Sequence, residues 1–253
     1  MGGKQGGFII SLDFELNWGT WSEVSLDRNR KRLEETLRVI PRLLDLFTEY
    51  NVHATWATVG FLFCEGRDEL MDRRPGAVPG YTEATDPYRF ARSIGRNEAD
   101  DPFHFAPSLI RLIADTPHQE IGTHTYSHMC CLEQGATAEA FRADLEAARE
   151  VAEGFDLRPR SLVFPKNQVN HAFWRSAKTL RCIVSRHEGP LDLRRAGARG
   201  ERRAFRGLRL IDSYLPLTGP EACFLGAESR RIPQAVDASR FLRPWSPALR
   251  GLE

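Results

Sequence analysis

Two histidines four residues apart, just past a short strand-like run, constrain this chain more than any other feature. Gln119-Glu120-Ile121-Gly122 reads as a strand stopped by glycine, and Thr123-His124-Thr125-Tyr126-Ser127-His128 follows it directly. In an extended chain His124 and His128 would share a face but stand roughly 13 Å apart, at ~3.3 Å per residue. That is too far for one ion held at ~2.1 Å. A shared ion requires Thr125, Tyr126 and Ser127 to curl, bringing residues i and i+4 onto one side of a turn. Such a curl would lie at the C-terminal end of a strand, where α/β folds keep their sites. Two imidazoles leave an open-sided metal centre one protein ligand short, so a third is expected from elsewhere in the chain.

The candidate lies near the start, where an apolar strand-type run ends in Ser11-Leu12-Asp13-Phe14-Glu15. Alternation along a strand puts Asp13 and Glu15 on one face, Cα atoms ~7 Å apart, and Phe14 on the other. Two carboxylates so close are costly unless a cation or a shared proton relieves them. A pair of solvated loop acids is the plainer alternative.

Between these stretches the chain alternates. Residues 28–50 carry Leu33, Leu37, Ile40, Leu44 and Phe47 at helical spacing, with Pro41 as a defect that can kink the helix. Residues 52–60 are β-rich, so the first sixty residues spell strand, helix, strand, a unit that pairs in parallel through a right-handed crossover. His53, at the start of that second strand, reads as a structural residue, with a ligand role as the alternative. Residues 65–107 are poorly periodic and rich in proline and glycine, which predicts a functional insertion or lid. Within it, Asn97-Glu98-Ala99-Asp100-Asp101 and His104 are either hydrated loop acids or a second metal cluster.

A short helix over 107–114 leads into the histidine strand, and residues 137–153 form an amphipathic helix capped by Thr137, with Phe141, Leu145 and Ala148 inward. The strand 160–165 delivers Lys166, Asn167, Gln168 and Asn170 at its end. A helix over 171–180 and strands at 182–185 and 208–214 complete the pattern. With no repeats or low-complexity linkers, this alternation predicts a single α/β, barrel-like domain over 1–253 with an irregular insertion at about 65–107.

Composition excludes more than it selects. The formal charge of +1 announces neither a nucleic acid nor an anionic membrane as partner, although arginine is dense over 186–209. That cluster is a solvated basic face or a sugar-phosphate contact. No signal peptide and no membrane-spanning run is expected, and five cysteines without finger spacing argue against a disulfide framework. A reducing cytoplasm is the expected location.

With Ser11-Leu12-Asp13-Phe14-Glu15 and His124-Thr125-Tyr126-Ser127-His128 both in view, the chain resembles the polysaccharide deacetylase family, the NodB-homology domain of carbohydrate esterase family 4. The resemblance also takes in the Ala54-Thr55-Trp56 strand and Phe164-Pro165. It implies a distorted (β/α)7-type barrel, incomplete here at its C-terminal end, and a divalent metal, commonly zinc. In the family pattern one acid of the first motif is the general base and the next binds metal beside two histidines. Phe14 stands where the second acid usually is, so the resemblance is to a divergent member of Asp-x-Glu type. The resemblance implies Glu15, His124 and His128 as metal ligands and Asp13 as base, with Asp13 and Glu15 exchanged as the alternative. Val163-Phe164-Pro165-Lys166-Asn167 replaces the usual Arg-x-Pro-Tyr-Gly strand, making Lys166 a second catalytic candidate. Trp18, Asn167 and Gln168 are expected to contact substrate.

The implied reaction is metal-assisted removal of an N-acetyl or other acyl group from an amino sugar or glycan, in surface polysaccharide biosynthesis such as an O-antigen or capsule precursor. The family's closing Leu-x-His motif, source of its general acid, is not found, and His187 is not at the expected place. The departing amine would take its proton from Asp13, Lys166 or solvent. The contrasting expectation is a catalytically impaired member that binds glycans or serves as a partner subunit.

Overall fold

The computed structural model describes residues 10–168, 170, 172–173 and 183–184. In chain order its elements are β1 (Ile10–Phe14), α1 (Leu26–Glu49), β2 (Ala54–Thr58), α2 (Arg67–Asp72), α3 (Pro87–Ala91), α4 (Pro107–Asp115), β3 (Gln119–Thr123), α5 (Ala138–Glu153), β4 (Ser161–Leu162) and β5 (Ile183–Val184). Short 3-10 turns at Leu16–Gly19, Gly60–Phe63 and Pro165–Asn167 follow β1, β2 and β4.

The five strands pair in parallel and lie side by side in the order in which they occur along the chain. Right-handed crossovers between successive neighbours that never reverse direction place the connecting helices α1, α4 and α5 on the same face. The packing agrees. One cluster joins Leu33, Ile40 and Leu44 of α1, Ile110 and Ile113 of α4, and Ala148 and Val151 of α5 to Phe14, Trp56 and Ile121 of the sheet. Phe47 meets the Trp56 indole edge-on at 6.4 Å. Among the described residues the helices cover one side of the sheet and the winding keeps one direction, as in a (β/α) barrel rather than a doubly wound sheet.

Period-two alternation then assigns the opposite face. Ser11, Asp13, Thr55, Ala57, Glu120, Gly122 and Ser161 fall in register there. Glu120 ties three strands together on it, accepting from Thr55 Oγ1 at 2.7 Å and from Ser161 Oγ at 3.1 Å. Gly122 makes room for the Ser161 side chain on this face, since a Cβ there would stand 2.4 Å from Ser161 Oγ.

The helices match the sequence pattern closely. Helix α1 continues through Pro41 to Glu49, and α5 begins at Thr137, whose side chain accepts from the Ala140 N–H at 3.1 Å. Residues 65–107 hold only the short α2 and α3 between irregular stretches, as their weak periodicity suggests. The expected helix over 171–180 apart from residues 172–173, the strand at 208–214, His187 and the arginine-dense stretch lie outside the described residues. No helix among the described residues is long and apolar enough to cross a membrane.

The 3-10 turn after β2 braces the loop after β3: Gly60 N–H donates to Thr125 O and Phe61 N–H to Tyr126 O, both at 2.9 Å. Gly60 permits this approach, because a Cβ there would lie 2.7 Å from Tyr126 Cα and 2.5 Å from its ring. Backbone cannot yield as a flexible side chain does, so Gly60→Ala is expected to destabilise the domain by about 1–3 kcal/mol, the usual cost of overpacking. Urea denaturation measures it, and an unchanged midpoint would show that the loop after β3 is free to shift.

Candidate metal centre

At the C-terminal ends of β1 and β3 the backbone leaves the extended state abruptly. Thr125 and His128 adopt left-handed conformations, φ 64° and 55°, and Leu16, just past β1, adopts φ 45°. Such conformations are uncommon for residues other than glycine, and a β-branched threonine is an outlier among them. Each costs about 1–3 kcal/mol and persists only where the surroundings over-determine it. The curl expected between the two histidines is therefore present as a left-handed bend, not a helical turn.

Its anchor is Asp144, fully buried on α5. One carboxylate oxygen accepts from Tyr126 N–H at 2.6 Å, and the other from Ser127 N–H at 3.1 Å and Ser127 Oγ at 2.5 Å. Thr125 Oγ1 adds a bond from Met129 N–H at 2.7 Å. Burial pushes the Asp144 carboxyl up to about 6, against the hydrogen bonds from Ser127 and Tyr126 that lower it.

The result brings three side chains to one point. Glu15, His124 and His128 each offer a donor atom, all within 4.8 Å of one another, and they form the one such group of three among the described residues. Glu15 Oε2 lies 3.0 Å from His128 Nε2 and 3.3 Å from His124 Nε2. His124 Nδ1 is 2.8 Å from the Val163 carbonyl, which can only accept, so Nδ1 carries a proton and, in the neutral ring, Nε2 is bare. That nitrogen is buried without a hydrogen-bond partner, its lone pair facing a carboxylate oxygen. Two lone pairs directed at one another in a buried site call for a cation between them.

The electrostatics match. Burial alone pushes the Glu15 carboxyl up, but hydrogen bonds and positive charge from the rings of His124 and His128 outweigh it and hold Glu15 well below the usual carboxylate range; positive charge at this point, whether proton or metal ion, favours the carboxylate. Burial pushes His128 down, and although Glu15 opposes this, the imidazole remains below its ordinary value. One carboxylate and two imidazoles form a nitrogen and oxygen donor set suited to zinc and similar divalent ions. The donor set and the bare buried nitrogen thus fit a metal.

The other expected site residues are distributed differently. Asp13 is exposed on β1 in register with Ala57, while Glu15 has left the strand with φ −129° and ψ −14°. Lys166, itself left-handed at φ 53°, pairs with Glu23 of the β1–α1 connection. Trp18, expected to meet substrate, is 0 % exposed and donates its indole N–H to His104 O at 2.9 Å, so it is a core residue. Gln168 is likewise buried, accepting from Leu132 N–H at 2.9 Å and reaching Glu133, which makes it a loop anchor. The side chain of Asn167 lies outside those described. His53 stacks on His118 at 4.1 Å, at the far end of the strands from Glu15. The acids over 97–101 form no metal cluster with His104; Asp101 instead bonds to it directly. Burial pushes the thiols of Cys64 up to about 12 and Cys130 up to about 11, so neither is a ready nucleophile.

Sequence reading missed Asp144, Gly19 and Gly60. Asp144 was detectable, because it interrupts the apolar stripe of its helix between Phe141 and Leu145. Gly19 has no local signal: a Cβ there would stand 2.0 Å from Glu15 Oε1.

A model of the polysaccharide deacetylase family matches residues 34–182, well over half of the chain and beginning after Glu15. No curated protein matches. Among solved structures, the chain is similar to a Mycobacterium smegmatis protein assigned to the polysaccharide deacetylases (18% identity, TM-score 0.45, covering 70% of this chain and 49% of that one). It is also similar to a CE4 family pseudoenzyme from Bacillus anthracis (14%, 0.40, 70% and 42%). A third is a family 4 carbohydrate esterase from Streptomyces lividans in complex with acetate (11%, 0.39, 72% and 64%). The chain thus spans less than half the length of the first two.

Two outcomes follow from this geometry. Gly19→Ala displaces only the end of the Glu15 side chain, so it is expected to leave the melting temperature near wild type while weakening zinc binding by roughly 10-fold or more, as read by competition with a chromogenic chelator. Equal affinity would show that Glu15 is not a ligand. Because His128 is held below the ordinary imidazole value, it stays neutral to lower pH than an unfolded histidine, and the unfolded chain binds the extra proton. Zinc affinity is expected to be level through neutral pH and to fall only at pH below about 6.5, where protons begin to compete for His128. Calorimetric titration across pH 5 to 8 measures this, and affinity that rises on acidification would contradict ligation by neutral histidines.

Proposed function

The chain belongs to the polysaccharide deacetylase family, and from that premise we propose that it is a metal-dependent carbohydrate amidohydrolase. It removes an N-acyl group, acetyl first among them, from an amino sugar or glycan, with surface polysaccharide biosynthesis in the cytoplasm as its setting. The observation that carries this reading is the convergence of Glu15, His124 and His128, with the His124 Nε2 lone pair bare and buried against a carboxylate.

In this reading Glu15, His124 and His128 hold the ion, and zinc is the first choice for that donor set. When bound, such an ion supplies Lewis-acid polarisation of an amide carbonyl and acidifies a water. The chain's own residues do the rest. Val163 O fixes the tautomer of His124, so its Nε2 remains a donor to metal. Asp13, exposed two residues before Glu15, takes the proton of the attacking water as its oxygen bonds to the carbonyl carbon. The C–N bond then breaks, and the departing amine receives a proton from Asp13 or from Lys166, which Glu23 holds by an ion pair. Acetate and a free amino sugar leave. The domain organisation that fits this reading is one catalytic domain, with residues 65–107 contributing to the site's support.

Acetate release from N-acetylated amino-sugar oligomers, with and without added zinc, tests the proposal. Wild-type protein is expected to release acetate only when metal is bound. Asp13→Asn is expected to keep stoichiometric zinc and lose roughly 10²- to 10⁴-fold in kcat, the usual worth of a general base. Protein that binds zinc and glycan but releases no acyl group would overturn the hydrolase reading in favour of a catalytically impaired glycan-binding member.

A further inference from the structure

The segment between β2 and α4 reaches the metal centre from outside through one buried histidine. His104 is 1 % exposed, and Asp101 Oδ2 lies 2.7 Å from its Nδ1. Burial tends to raise Asp101, but the His104 imidazole beside it holds its carboxyl below the usual range, so it accepts the Nδ1 proton. His104 Nε2 is then the acceptor for Asn17 Nδ2 at 2.9 Å. Asn17 is buried, and its Oδ1 in turn accepts from Asn29 Nδ2 of α1 at 3.4 Å, while the same Asn29 nitrogen donates to Thr20 Oγ1 at 2.9 Å. Each donor in this chain meets an acceptor, and the whole runs in one direction from α1 to Asp101.

The backbone carries the same connection. Asn17 N–H donates to Phe103 O at 3.2 Å, and the Trp18 indole N–H to His104 O. The gripped residues, Asn17 and Trp18, belong to the 3-10 turn that begins one residue after Glu15. This turn contains the left-handed Leu16, and Trp18 N–H closes it on Glu15 O at 2.9 Å. Glu15 has left β1 and cannot rely on sheet hydrogen bonds to fix its direction. The strain at Leu16 needs an external clamp, and residues 101–104 supply it.

We infer that Asp101 and His104 are positioning residues for Glu15, holding the turn that aims its carboxylate at His124 and His128. The inference deepens the proposed function and rests on it for the identity of the bound species. Neither residue touches the metal site itself. The segment that interrupts the strand and helix alternation is thereby part of the centre's support, as outer hydrogen-bond partners are for other metal sites.

Zinc alone is the probe, with affinity measured by chelator competition on the full chain. His104→Ala is expected to weaken binding by roughly 10- to 100-fold. His104→Gln is expected to recover most of the loss, since one amide presents an acceptor to Asn17 and a donor to Asp101. Ile40→Ala, a core change on α1 remote from the turn, controls for general destabilisation and is expected to leave zinc affinity near wild type. Unchanged affinity in His104→Ala, or an equal loss in Ile40→Ala, would overturn the inference. If wild-type protein takes up no zinc, the proposed function falls, and crystals of the metal-free proteins decide the positioning role separately. The Glu15 Oε2 to His128 Nε2 separation, 3.0 Å here, is expected to open beyond hydrogen-bond reach in His104→Ala; its retention would reject the clamp.

Discussion

A bare imidazole nitrogen of His124 faces a carboxylate oxygen of Glu15 at 3.3 Å in a buried site, and much of the surrounding structure can be understood as what holds that contact closed. Neither side chain would rest there unaided. His124 leaves the end of β3 with its other nitrogen tied to Val163 O on the neighbouring chain segment, so the sheet itself decides which nitrogen is free. Glu15 turns inward only after β1 has ended, across a residue of unfavourable backbone conformation. Two strand ends, each bent out of the extended state, are held in opposition by hydrogen bonds from elements distant in sequence.

Those supports share a design. Asp144 reaches from α5 to the Tyr126 and Ser127 amides, and His104 reaches from the β2–α4 connection to Asn17. In both, a buried polar group on a covering element satisfies the backbone or side chain of a strained turn, so removal of either partner would leave an unpaired buried group. Glycines complete the arrangement where side chains would intrude, at Gly60 under Tyr126 and Gly19 under Glu15. Burial pushes His128 toward its neutral form, the form that can ligate a divalent ion.

The sequence-based reading succeeded where chemistry and period coincide. The apolar stripe of α1, the Thr137 cap of α5, and the strand before His124 are local patterns, and they occur where the pattern puts them. The distance between His124 and His128 in an extended chain already demanded a bend. Trp18 and Gln168, expected to contact substrate, are buried against other loops, because a polar or aromatic residue after a strand end looks the same in sequence whether it faces solvent or a second loop. His104 was weighed as a ligand or a hydrated loop residue; its actual partner, Asn17, is 87 positions away.

By itself the sequence determined the alternation of strands and helices and the residue types able to bind a cation. These depend on spacing along the chain, where side-chain direction follows from the backbone period. Only the tertiary structure decided that Glu15 joins the two histidines while Asp13 stays exposed on the strand, and that Asp144 and Asp101–His104 are the anchors. Those outcomes depend on which buried donors and acceptors meet across the fold, and burial and orientation are properties of the packed chain, not of spacing along it.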